Sequence, residues 1–358
     1  MQISQCTIIK ERLLGVNFVR VIAALGIIIY HISCYTGSDA VKVLYKYENG
    51  TFGNMFTMVF LLISGGVLYH NYPKITSLRE FFYKRWKSIF PSFYIVFSCF
   101  YIKNVLERGS LFYYGRPTSI LLSIFGLDGF FNYAGANYYL VGEWFLGAII
   151  ILYILYPLIL KGVNKTGWLT IFILIALCVW KVETYTFGSV VLNRLAYYGG
   201  CFVLGMLIFK YKLYGNKILV AISVVVSAVF LFIKVNISNA YSDYILGVSL
   251  FFVMYALGEL LAKVSVLNDM ISFISGLTFP MFLVQNQISM YLVNRYTPTS
   301  LTAIIKTIFI SVVLCAVSAW CTKVVVNAIT HTKWFSYLEK HLIYRTVEKG
   351  CKIWDRLP

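Results

Sequence analysis

Charge is what this chain has least of. Of its 358 residues only 13% are Asp, Glu, Lys or Arg, and 59% are hydrophobic. Soluble domains carry about 25% charged and 45–50% apolar residues, and a single soluble core stops growing near about 250–300 residues. A chain this long and this apolar cannot hide its surface from water, so a soluble globular fold is excluded. Acid is scarcer still, with 14 Asp and Glu against 31 Lys and Arg and a net charge of +17. A nucleic-acid binder with that balance would set its cations in stripes with stacking aromatics on a soluble fold. Here they stand in short runs between apolar segments, as membrane loops do, and no nucleic-acid partner is expected. The eight cysteines (6, 34, 99, 178, 201, 315, 321, 351) form no CxxC pair and no Cys/His cluster of metal spacing. Most sit inside apolar runs as small hydrophobes, so neither a disulfide framework nor a metal site is expected. No Gly-rich phosphate cradle or Walker motif is present, which removes support for nucleotide hydrolysis. The first apolar run, about 20 residues long, lacks a small-residue cleavage site and is expected to stay as a span.

What is present is a series of apolar runs. A span takes about 20 such residues, or about 17–25 with tilt, and ten are predicted: 16–35, 52–70, 86–103, 140–160, 167–182, 194–210, 217–235, 243–262, 272–292 and 302–327. The fold class is therefore an all-α polytopic transmembrane helix bundle. The stretch 118–132 (TSILLSIFGLDGFFN) is too short and too Gly-rich to span and reads as interfacial or re-entrant; an eleventh span there would invert all that follows. With ten spans and the N-terminus inside, 20 Lys and Arg fall on the inner side and nine on the outer, while Arg20 and Lys306 fall within spans, which accounts for all 31. That bias places both termini in the cytoplasm of a cell-membrane protein. Residues 1–330 form the membrane domain. The basic tail 331–358 spaces Trp334, Leu338 and Leu342 four residues apart, which suits either an interfacial amphipathic helix resting on membrane lipid or a solvated anchor.

Two charges inside the first span ask for a partner or a role, since a charge at mid-membrane costs at least about 2.5–3.5 kcal/mol. Arg20 and His31 are 11 residues apart, which on a helix is three turns plus about 20°, so both project from one face about 16 Å apart. His31 lies about 22 Å up a hydrocarbon core of about 30 Å. Imidazole is the usual general base near neutral pH, and the bland alternative is a snorkelling arginine and a hydrogen-bonded core histidine. Glu143, just below the outer edge of the fourth span, falls at a similar level. It either orients and stabilises the imidazole, as the third member of a catalytic triad does, or simply rests at the interface. On the inner side YKRWKSIFP brings together Lys84, Arg85 and Lys87, with Arg79 just before. This is either an ordinary positive-inside loop or a site for the phosphates of a cytoplasmic donor.

At these residues the chain resembles the acyltransferase-3 family of membrane acyltransferases. NFVRVIAALGIIIYH holds an Arg-x10-His, as Arg20 and His31; VFLLISGGVLY is similar to the family's F-x-x-S-G, at Ser64 and Gly65. KRWKSIFPSFY resembles its basic R-x-x-R-I-x-P-x-Y, at Arg85 and Pro91, and EWFLGAIIILYILYPLI its W-F-L…Y-x-x-x-P, at Trp144, Tyr153 and Pro157. GLTFPMFLVQNQI is similar to the penultimate-span pattern, so the ordered set covers residues 16–292. Two positions depart from it: Ser88 replaces the second Arg of the basic motif, and Phe282, Leu283 and Gln285 stand where the family often has Y-L-x-H. The resemblance implies a membrane O-acyltransferase with an acyl-CoA donor, acetyl-CoA foremost, and no permanently bound cofactor. The implied acceptor is a hydroxyl of a cell-surface, capsular or exopolysaccharide sugar. His31 would be base or covalent carrier, with Glu143 and Arg20 beside it and Arg85, Lys84, Lys87 and Arg79 on the donor. The competing reading is an exporter of a polysaccharide or lipid-linked sugar, which predicts charge along the whole path and broken helices at the midplane.

Overall fold

The computed structural model describes residues 13–354, apart from 115, 133–134, 136, 139 and 171–186. The chain folds into α1 (Leu14–Thr36), α2 (Phe52–Asn71), α3 (Leu78–Arg108), α4 (Glu143–Thr166) and α5 (Phe187–Lys210). These are followed by α6 (Lys217–Phe232), α7 (Asn239–Leu261), α8 (Ser265–Ser275), α9 (Thr278–Tyr296) and α10 (Leu301–Thr330). The tail adds α11 (Lys333–Leu338), a π-helical turn over Glu339–Ile343 and α12 (Tyr344–Trp354). Among the described residues the only strand pairing is a hairpin of Lys46–Tyr47 with Gly50–Thr51. Six helices, α1, α2, α3, α4, α7 and α10, are long and apolar enough to cross a membrane; the pair α8 and α9, bent by 59°, raises the number to seven. The protein is an all-α polytopic membrane helix bundle. α5 and the shorter α6 coincide with the sixth and seventh predicted spans, while the fifth, 167–182, lies almost wholly outside the described residues. The stretch 118–132 makes only the five-residue helix Ile120–Ile124 and turns, too short to span.

Local sequence sets the helix ends. Ser77 caps the start of α3, where its hydroxyl accepts from the Glu80 N–H at 3.2 Å. Gly109 closes the same helix in the left-handed region at φ 66°. Inside the bundle the closest approach joins α2 to α5. A Cβ on Gly65 would fall 1.9 Å from the Phe202 carbonyl oxygen, and one on Gly205 would fall 2.0 Å from that of Leu62. Lipid offers no hydrophobic drive between helices, so small residues that let backbones touch supply the packing instead. Gly65 is therefore required by helix contact, independently of chemistry.

The ends where α1 begins, α2 finishes and α10 finishes share one side of the bundle, here the proximal face; the opposite side is the distal face. On the distal face buried Asn49 donates to the Phe230 and Ile233 carbonyls at 2.8 and 2.6 Å and accepts from the Val235 N–H at 2.7 Å. Asp243 accepts from the Tyr47 hydroxyl at 2.6 Å and the Thr51 N–H at 3.0 Å. These bonds hold the hairpin down beside the start of α2.

Candidate active site

Three cavities lie in series along one face of α1. The first, about 360 Å³, opens at the proximal end and is lined by Asn17, Arg20, His70, Asn71, Ser272 and Ser275 among others. The second, about 270 Å³, is the middle cavity, where Arg20 and Ser275 recur beside Ser64, Ser88, Tyr153 and Thr278. The third, about 130 Å³, holds His31 with Tyr30, Asn54, Thr57 and Trp144. Phe145 and Phe282 line both the second and the third. The predicted face of α1 is thus real, with Arg20 between the first two cavities and His31 in the last.

Donor counting favours one imidazole tautomer. His31 Nδ1 lies 3.1 Å from the Tyr35 hydroxyl, and that hydroxyl donates to Asn286 Oδ1 at 3.0 Å. A hydroxyl has one proton to give, so in the 3.1 Å contact Nδ1–H is the donor. Nε2 of the neutral ring is then the unprotonated nitrogen, the form that a general base or nucleophile needs. Tyr35 sits one turn after His31 on α1, and Asn286 arrives from α9. Sequence reading missed both: the i, i+4 spacing was the available signal for Tyr35, and nothing short-range marks Asn286.

Glu143 begins α4, one residue before Trp144 in the wall of the His31 cavity. Its side chain lies outside the described residues. Gln285, at the position where the family often has a histidine, is 1% exposed, and neither of its amide atoms has a hydrogen-bond partner among the described residues.

The four basic residues near the start of α3 do not act together. Lys84 pairs with Glu80 at 2.6 Å on its own helix. Lys87 pairs with Glu339 at 2.8 Å and Arg79 with Glu348 at 3.7 Å, both acids belonging to the tail. The tail is docked on α3 by more than charge: Phe335 stacks near Trp86, Tyr344 meets Tyr83 edge-on, the Arg79 guanidinium lies 4.3 Å from the Tyr344 ring, and Glu339 also accepts from the Tyr83 hydroxyl. Trp334 and Tyr337 of the same tail stay exposed. Arg85 is different. Among the described residues no carboxylate pairs with it; its guanidinium lies 5.3 Å from the ring of Tyr72 and 5.8 Å from that of Tyr153. Ser88, in the place of the family's second arginine, lines the middle cavity.

The quoted motifs therefore converge in space. Arg20, Ser64 and Tyr153 meet at the middle cavity, and His31 and Trp144 meet at the third. The family model described as an acyltransferase domain matches residues 13–323, most of the chain. The chain belongs to the acyltransferase-3 family. Membership makes it a membrane acyltransferase, and the cavity series is where family motifs gather in this chain. No curated protein and no solved structure matches it.

Proposed function

We propose that this acyltransferase moves an acyl group, acetyl foremost, from cytoplasmic acyl-CoA to a hydroxyl of a cell-surface, capsular or exopolysaccharide sugar. It would sit in the cell membrane with both termini cytoplasmic. The observation that carries the reading is the cavity series, which joins a cationic proximal opening to an imidazole in the distal half through one continuous face of α1. The donor enters proximally and the acceptor distally. His31 Nε2 takes the proton of the sugar hydroxyl as its oxygen attacks the thioester carbonyl. The C–S bond breaks as the C–O ester bond forms, and the imidazolium returns its proton to the departing sulfur, leaving free thiol and neutral His31. If His31 is instead the carrier, an acyl-imidazole forms first and trapping without acceptor would reveal it. Arg20, at the boundary of the first two cavities, steadies the donor, and Arg85 is the member of the α3 cluster best placed to join it.

The export reading predicts broken helices at the midplane. The described residues hold one bent pair, α8 and α9, and its break lies at the proximal end beside Arg20. That favours an enzyme with one deep donor opening. Comparing surface glycan mass with and without the protein tests the function: loss of one acyl increment per modified sugar is expected, and an unchanged mass with less glycan at the surface would favour export.

A further inference from the structure

The proximal cavity differs from the α3 cluster in one respect that matters for an anion. The α3 cations are largely neutralised, since Arg79, Lys84 and Lys87 each hold a carboxylate. The cavity has the opposite character: among its described lining residues none is Asp or Glu, whereas Asn17, Arg20, His70, Asn71, Ser272 and Ser275 all face it. Part of this lining is pre-arranged. Asn17 donates to Ser272 Oγ at 3.4 Å, and Ser275 donates to Asn17 Oδ1 at 3.1 Å. A second cation stands next to one of the lining residues. Gly276 lines the cavity, and Lys323 Nζ of α10 lies 3.2 Å from where a Cβ at that glycine would stand. At the inner edge α9 starts after the 59° break with no side-chain cap, so its first N–H groups add partial positive charge beside Arg20.

We propose that this cavity, lined by Arg20, His70, Asn71 and Ser275 and flanked at Gly276 by Lys323, is the docking port for the phosphates of the acyl donor. The ligand class is a pyrophosphate- or phosphate-bearing thioester, and the α3 cluster serves chiefly to hold the tail. The inference rests on the reading of the protein as an acyltransferase fed from the proximal side, and it names the residues that reading lacked. It also explains the geometry of the series, because phosphates held at the opening would leave the reactive end of the donor to extend past Arg20 into the middle cavity.

The test is titration calorimetry on the purified full chain with three probes: coenzyme A, inorganic pyrophosphate and pantetheine, which carries no phosphate. The variants are His70→Gln with Lys323→Gln together, Ser275→Leu to fill the cavity, and Arg79→Gln with Lys84→Gln as the comparison. Charge-assisted hydrogen bonds to phosphate predict that each port variant weakens coenzyme A and pyrophosphate by about tenfold or more. Pantetheine should bind the unmodified protein and both charge variants alike, and the Arg79/Lys84 variant should bind coenzyme A as the unmodified protein does. Because Ser275→Leu could disturb the fold, the charge variants carry the same test without adding volume. If coenzyme A binds but only the Arg79/Lys84 variant weakens it, the port is overturned while the acyl-CoA reading stands. Pyrophosphate bound and lost with the port variants, with no binding of coenzyme A, upholds the port and removes that donor. Binding of neither by the unmodified protein overturns both.

Discussion

Phe145 and Phe282 meet edge to face, with ring centroids 5.3 Å apart and planes at 73°, and both rings line the middle cavity and the cavity of His31. They stand between the two spaces, so on the proposed route transfer requires one ring to swing aside. Phe282→Ala should leave the partition open. The expected result is a severalfold rise in thiol release from acyl-CoA without acceptor, as water reaches the thioester. Unchanged release, with transfer also unchanged, would mean that the rings never separate the two spaces.

His31→Ala should keep the protein at normal membrane levels while transfer falls by about 10²–10⁴-fold, the usual loss for a general base, or further if His31 carries the acyl group. Tyr35→Phe keeps the ring but removes the hydroxyl that joins His31 to Asn286. One neutral hydrogen bond is worth about 0.5–1.5 kcal/mol, so a fall in kcat of about three- to tenfold is expected with little change in KM. Glu143→Gln should lie between no effect and the His31→Ala result. A well-folded His31→Ala protein that still acylates the glycan would sink the mechanism and leave family membership untouched.

Gly65 and Ser64 are neighbours with separable roles. A methyl at Gly65 would collide with the Phe202 carbonyl, and overpacking of this kind costs about 1–3 kcal/mol. Gly65→Ala should therefore lower the thermal transition, while activity per folded molecule is largely kept. Ser64→Ala, at the middle cavity, should do the reverse.

The tail offers a pH test. Burial works against ionising Glu339, but hydrogen bonds from Lys87 and Tyr83 outweigh it and hold this carboxyl below the usual glutamate range. A depressed carboxylate stabilises the docked tail above its unfolded pKa of about 4.3 and loses that contribution as pH falls through its lower folded value. Cys351, a residue of the docked tail helix α12, is buried. In a protein keeping only that cysteine, Glu339→Gln should raise the rate of maleimide labelling at neutral pH severalfold. Labelling as slow as in the unmodified protein would show that the aromatic contacts at Trp86 and Tyr83 hold the tail unaided.

The six long apolar helices were legible because lipid is the solvent: long apolar runs are forced into helices wherever backbone groups have no water to bind. The Arg20–His31 face was legible too, since helical period alone places residues 11 apart on one side. Other features depend on pairings far apart in sequence. The tail's apolar stripe points to Trp334, which stays exposed, and not to Phe335 and Tyr344, which make the contacts with α3. A charge count weighs Lys87 and Arg79 as topology signals and cannot see Glu339 and Glu348 arriving about 250 and 270 residues later. The break between α8 and α9 escaped because the predicted span 272–292 starts inside α8, where hydropathy runs on smoothly through Gly276.

Arg20 has a consequence for distance. A permanent cation in a polar vestibule draws solvent to its own depth, so the aqueous phase on that side reaches well into the bundle. From Arg20 to His31 the helix rises about 16 Å, roughly half of the 30 Å or so that separates the two interfaces elsewhere. On the proposed route, the group passed along α1 would meet a membrane about half as thick as it is for the lipids alongside.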